Sequence, residues 1–156
     1  MIEMISFRDL FISKVFWAII ASVIVAQATK IVLLVFKQKQ KFVFEDLFVT
    51  GSMPSAHSAI VASLATILLF TEGFSPLFFT TFVFAAIVIR DAVGVRRTVG
   101  EESKVLTNVI SALKTKFHIN IPRKMHQSLG HQPLEVLVGV LIGIAASIAV
   151  YSMHLY

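Results

Sequence analysis

VTGSMPSAHSAIVASLATILLF occupies residues 49–70 and holds two opposite tendencies. From Pro54 to Thr71 no residue carries a formal charge, and an apolar run of roughly 18 to 20 residues is what a membrane-crossing helix needs. The first turn nevertheless holds Ser55, His57 and Ser58, behind Gly51, Ser52 and Pro54. Pro54 suits the first helical position, where no amide proton is required, and Ser52 stands near the cap. The free amides and positive dipole end of such a helix suit an anion. His57 either touches lipid headgroups there or serves as a proton donor near neutral pH.

The rest of the chain sets the context. Its 156 residues are 56% hydrophobic and only 15% charged. One domain of that size, residues 1–156, cannot bury so much apolar surface, so the excess faces lipid. Three further segments match the first in length and character: 15–36, 76–95 and 133–156, against 54–71 here. Their apolar runs are continuous rather than alternating, which excludes barrel strands. The predicted fold is therefore all-α, an integral-membrane bundle of about four transmembrane helices. The N-terminal run is too long for a signal-peptide core and is read as retained. Gly139 and Gly143 form a small-xxx-small pair suited to close helix packing.

The net charge of +5 favours anionic partners such as headgroups or phosphorylated substrates. A soluble nucleic-acid binder would not carry four long apolar segments, so nucleic acid is not an expected partner. The absence of cysteine excludes thiolate catalysis and sulfur-ligated metals. A polar region, 96–132, separates the last two spans. Within it Glu101–Phe117 places Val105, Val109, Ile110, Leu113 and Phe117 on one face, with Thr98 and Glu101 at capping-box spacing. That pattern predicts an interfacial amphipathic helix.

With four spans, the unusual polar groups collect at one membrane face. Span one brings Lys30, Lys37 and Gln27; span two brings Ser55, His57 and Ser58. Span three ends in Arg90, Asp91, Arg96 and Arg97, and span four opens on His131 and Glu135. His131 and Glu135 share a helical face, either as a surface hydrogen bond or as an imidazole oriented by a carboxylate. The arginines either hold anionic lipid or fork onto phosphate oxygens. Lys30 lies inside the apolar run, where a charge is expensive and marks function by default. His57, His131, Asp91 and Glu135 could in principle ligate a metal, but the surrounding cations oppose a dication, so no metal and no cofactor is expected.

Three motifs in order, GSMPSAHSA at 51–59, RDAVGVRRTVGEE at 90–102 and LGHQPLEVLVG at 129–139, resemble the divergent branch of the type-2 phosphatidic acid phosphatase family. The resemblance runs from about Gln27 to Gly143. The wider superfamily carries Lys-x6-Arg-Pro, Pro-Ser-Gly-His and Ser-Arg-x5-His-x3-Asp. The resemblance implies that His131 is the nucleophile, Glu135 its orienting acid and His57 the general acid. It implies phosphate binding by Lys30, Ser55, Arg96 and Arg97, with Lys37 at the first arginine position and Arg90 of lower rank. It implies a metal-free hydrolase acting on a lipid or isoprenoid phosphate or diphosphate through a phosphohistidine. A non-catalytic binder or transporter of phosphorylated lipid is the alternative. The chain departs from the pattern at Lys37, at Gln38 for proline, at Ala56 for glycine, at Met125 for arginine and at Glu135 for aspartate. Four spans are fewer than the six usual in the superfamily, and a homodimer is an expectation from that shortfall.

Charge also predicts orientation. Arg8 and Lys14 are the basic residues on the side of the termini, whereas Lys39, Lys41, Lys104, Lys114, Lys116, Arg123 and Lys124 lie opposite, in addition to the candidate site. By the positive-inside rule the polar face is cytoplasmic, in a plasma-membrane protein with both termini outside.

Overall fold

In the computed structural model, residues 13–38, 53–117 and 132–153 are described. They form five helices: α1 (Lys14–Gln38), α2 (Ala56–Glu72), α3 (Pro76–Val93), α4 (Val95–Phe117) and α5 (Pro133–Ser152). Local chemistry sets the ends. Ser75 caps α3 by accepting the Phe78 N–H at 3.2 Å, with Pro76 in the first turn. Gly73 ends α2 at φ 65°, a conformation that costs glycine little, and its N–H returns to the Leu69 carbonyl. The start of α2 differs from the sequence expectation. Ser55, not Ser52, is the N-cap, and Pro54 stands outside the helix, joined to Met53 by a cis peptide bond; Ser52 lies outside the described residues.

Among the described residues three helical segments are long and apolar enough to cross a membrane. The fourth expected span, α2, has 17 residues and reaches about 26 Å at 1.5 Å per residue. It is the central helix, packed against α1, α3 and α5. Shielded by its neighbours, it has the least need of a full-length lipid-facing surface. The outer helices carry that surface: Ile24, Val32 and Phe36 on α1, Phe82, Val83 and Ile87 on α3, and Leu137, Leu141 and Ile148 on α5 are exposed. In a membrane protein such residues meet hydrocarbon.

The core is built from small side chains, which lets backbones approach closely. Ala18, Ser22, Ala26 and Lys30 recur every fourth residue on α1, and all are buried. At one end Ala18, Ile67 and Val150 form the apolar cluster of α1, α2 and α5. There Phe70 stacks on Tyr151 at 5.1 Å, and the Lys14 ammonium lies 5.0 Å from the Tyr151 ring centre.

α4 begins at Val95, earlier than the expected start near Glu101. Gly94 interrupts α3 and α4, yet the helical ladder crosses it: Gly94 N–H reaches the Arg90 carbonyl at 2.8 Å and Thr98 N–H the Gly94 carbonyl at 3.0 Å. Thr98 therefore lies in the first turn, its hydroxyl donating to the Gly94 carbonyl, and does not cap the helix. α4 packs against α3 alone among the described elements. It leaves Val99, Val105, Leu106, Val109 and Leu113 exposed as an amphipathic flank.

Candidate functional site

The seam between α2 and α5 organises the polar end. The two helices run parallel: the Ser55 N–H donates to the Glu135 carbonyl at 3.0 Å, and the Ser63 and Ser147 hydroxyls meet at 2.8 Å further along. Ser147 also donates to the Ser63 carbonyl at 2.8 Å. Between these contacts the backbones nearly touch. A Cβ added at Gly139 would collide with the Ser55 carbonyl oxygen, and one at Gly143 with the Ala59 carbonyl oxygen. The sequence pair Gly139–Gly143 thus has a complementary stripe, Ser55–Ala59–Ser63, that sequence reading alone did not pair with it.

As a result two helix N-termini start side by side, with their positive dipole ends at the same end of the bundle. At α2, Ser55 is fully buried and its Oγ accepts from the Ser58 hydroxyl at 3.0 Å and the Ser58 amide at 3.4 Å. At α5, Gln132 and Glu135 form a capping box with Pro133 in the first turn. The Glu135 carboxylate accepts the Gln132 N–H at 3.1 Å.

α1 runs antiparallel and brings Lys30 to the same level. From Ala18 to Lys30 is about 18 Å along α1, and the same rise back from Ile67 on α2 ends at Ser55. Since Ala18 and Ile67 meet in the far cluster, Lys30 stands level with the start of α2. It is only 7% exposed. Gln27, one turn earlier, has its Oε1 buried with no hydrogen-bond partner among the described residues. Counted outward from the turn between Glu72 and Pro76, Arg90 on α3 and Ser58 on α2 lie equally far along antiparallel helices, about 21 Å. Arg90 is exposed there and Asp91 is half-buried.

His57 shares the level but not the face. Successive helical residues turn by about 100°, so His57 lies roughly 160° around α2 from Ser55 and Ala59, whose carbonyls face α5. Its side chain is exposed on the flank away from that seam. A phosphate touched by both His57 and α5 would have to sit across the end of α2. His131, placed by the sequence just before the α5 cap, lies outside the described residues. So do the side chains of Lys37, in the last turn of α1, and of Arg96 and Arg97, in the first turn of α4. Among the described residues no three histidine and carboxylate groups gather.

Chemically the described end combines buried Lys30, two helix N-termini and exposed Arg90 with two carboxylates, Glu135 at the α5 cap and Asp91 beside Arg90. Helix N-termini with cations beside them suit an anion such as phosphate. Ser58 was not among the predicted phosphate ligands, although its burial beside Ser55 follows from the three-residue spacing of one helical face.

Residues 11–146 match the family described as the Divergent PAP2 family. The chain is also 35% identical over 141 residues to the uncharacterized membrane protein YuiD of Bacillus subtilis (strain 168), covering 80% of this chain and 85% of the relative. No solved structure matches it. The chain belongs to the divergent PAP2 family, as an integral-membrane helical protein.

Proposed function

We propose that this member of the divergent PAP2 family is a membrane-embedded phosphatase for a lipid or isoprenoid phosphate or diphosphate. The observation that supports it best is the convergence of buried Lys30 with the joined N-termini of α2 and α5. Phosphoryl transfer asks mainly for positioning and neutralisation of charge, which fixed amides and cations supply. His131 attacks phosphorus, the bond to the leaving oxygen breaks, and His57 delivers a proton to that oxygen. Water then attacks the phosphohistidine, releasing phosphate and freeing the imidazole. Arg96, Arg97 and Arg90 hold the non-bridging oxygens with Lys30, Lys37 and Ser55. No metal enters these steps. The site opens toward the cytoplasm of a plasma-membrane protein, following the basic residues, and a second copy covers part of the lipid-facing surface as a homodimer.

The test is phosphate release from a panel of lipid and isoprenoid phosphates by purified wild-type and His131→Ala protein. Acid quench should trap phosphate on the wild type and not on the variant. Normal turnover by His131→Ala would refute the nucleophile assignment.

Two observations favour a second reading, a binder or transporter of phosphorylated lipid without turnover. The Glu135 carboxylate is engaged in capping α5, and His57 stands on the flank away from the seam. Saturable binding of a lipid phosphate with no phosphate release, weakened by Arg96→Ala, would select this reading.

A further inference from the structure

The bundle does not close on one side. α3 packs along α2 but meets α5 at few points, and the gap between them is a cleft of about 760 Å³. Ala62 and Ala65 of α2 form its floor; Phe82 and Ala86 of α3 face Val140 and Ile144 of α5 across it. Arg90 and Gly94 lie at one end of the cleft, and Phe78 lines the other. That volume lies within the usual range for small-molecule sites, which are mostly apolar with a few placed polar groups.

Shape narrows the occupant. From Phe78 to Arg90 the cleft runs about 18 Å along α3. Its volume is the room open to the centres of water-sized groups, so over this length it forms a track about 7 Å wide for the atom centres of an occupant. One hydrocarbon chain fits along it, and the lining is apolar except for Thr66 and, at one end, Arg90, which matches a chain with a single charged end. Charge then orients the chain. Its polar end meets Arg90, level with the first turn of α2, so a guanidinium stands at the end where Lys30 and the N-termini of α2 and α5 gather.

We propose that this cleft seats one hydrocarbon chain of a phosphorylated lipid, with the phosphate at the Arg90 end. The assignment rests on the reading above that this end of the bundle binds phosphate. Lipid tails are as apolar as the cleft walls, so moving a chain from bilayer to cleft gains little hydrophobic free energy. The cleft therefore selects by shape, and the phosphate supplies the affinity.

The experiment uses the full chain in phosphatidylcholine nanodiscs with two probes, a long-chain alkyl phosphate and a prenyl phosphate, each carrying a photoreactive diazirine in its chain. After irradiation, mass spectrometry maps the label. The expected result is saturable labelling of 62–69 and 82–89, displaced by unlabelled probe and not by the matching alcohol. Ala86→Trp places a large ring in the cleft mouth and should cut labelling at least about tenfold, which corresponds to 1.4 kcal/mol. Ala86→Phe serves if the tryptophan variant does not fold. Val83→Trp adds the same bulk on the exposed face of the same helix and should leave labelling intact. Either probe supports the cleft, and the stronger one identifies the chain type. Label spread evenly over Ile24, Val32 and Leu141, displacement by the alcohol, or indifference to both Ala86 variants would overturn the proposal. Saturable, phosphate-dependent labelling without phosphate release would leave the cleft standing and remove the phosphatase reading.

Discussion

Gly143→Ala adds one methyl group at the tightest point of the bundle. The added Cβ would collide with the Ala59 carbonyl oxygen and lie 2.9 Å from the Ser63 amide nitrogen. Both are backbone atoms of a buried helix, so neither yields by a rotamer change, and α2 and α5 must separate instead. Overpacking of this kind costs about 1–3 kcal/mol. Separation also pulls apart the Ser63–Ser147 pair one turn away, whose contacts are both 2.8 Å. Polar contacts between membrane helices contribute about 0.6 kcal/mol on average and up to about 1.7. The sum is about 2–4 kcal/mol, which should lower the Tm of detergent-purified protein by roughly 5–15 °C. Leu141→Ala, on the exposed face of the same helix, should shift it by far less. Thermal unfolding followed by circular dichroism measures both. If Gly143→Ala unfolds with the wild-type midpoint, the close approach of α2 and α5 is not what holds the bundle together.

Three other outcomes can be checked. Orthovanadate should raise the Tm of the wild type, since a ligand at a hundred times its Kd stabilises by about 2.7 kcal/mol, and Lys30→Met should abolish that rise; an equal rise in the variant would detach Lys30 from phosphate binding. Phosphatase activity should persist in excess EDTA and be inhibited by vanadate, which resembles a pentacoordinate phosphoryl state; loss in EDTA restored by a divalent ion would refute the metal-free mechanism. The chain has no cysteine of its own, so single cysteines at Lys39, Ser75 and Lys116 report topology: Ser75→Cys should react with an impermeant thiol reagent on intact cells while the other two do not, and the reverse pattern would invert the orientation.

The membrane character and the approximate helices were legible in the sequence because each depends on a local sum. Hydropathy over roughly 20 residues decides whether a segment tolerates lipid, and no distant contact changes that sum. Pro76 and Pro133, at the starts of α3 and α5, could be read for the same reason. Lys30 was singled out because a charge in an apolar run is costly wherever the helix packs. Caps were less legible, since several residues compete for each. Ser55 took the role expected near Ser52, and the capping box formed at Gln132 and Glu135 rather than at Thr98 and Glu101.

Pairing between helices required the tertiary structure. Gly139 and Gly143 announced a close approach, but any small-residue stripe could have received them. That Ser55, Ala59 and Ser63 do so follows from α2 and α5 running parallel in register, and this same register sets two helix N-termini side by side. The facing of His57 away from that seam, and the gap left where α3 meets α5 at few points, likewise depend on rotation about helix axes. Between helices in lipid, hydrophobicity favours no partner over another, so steric fit of small residues and a few hydrogen bonds choose the neighbours.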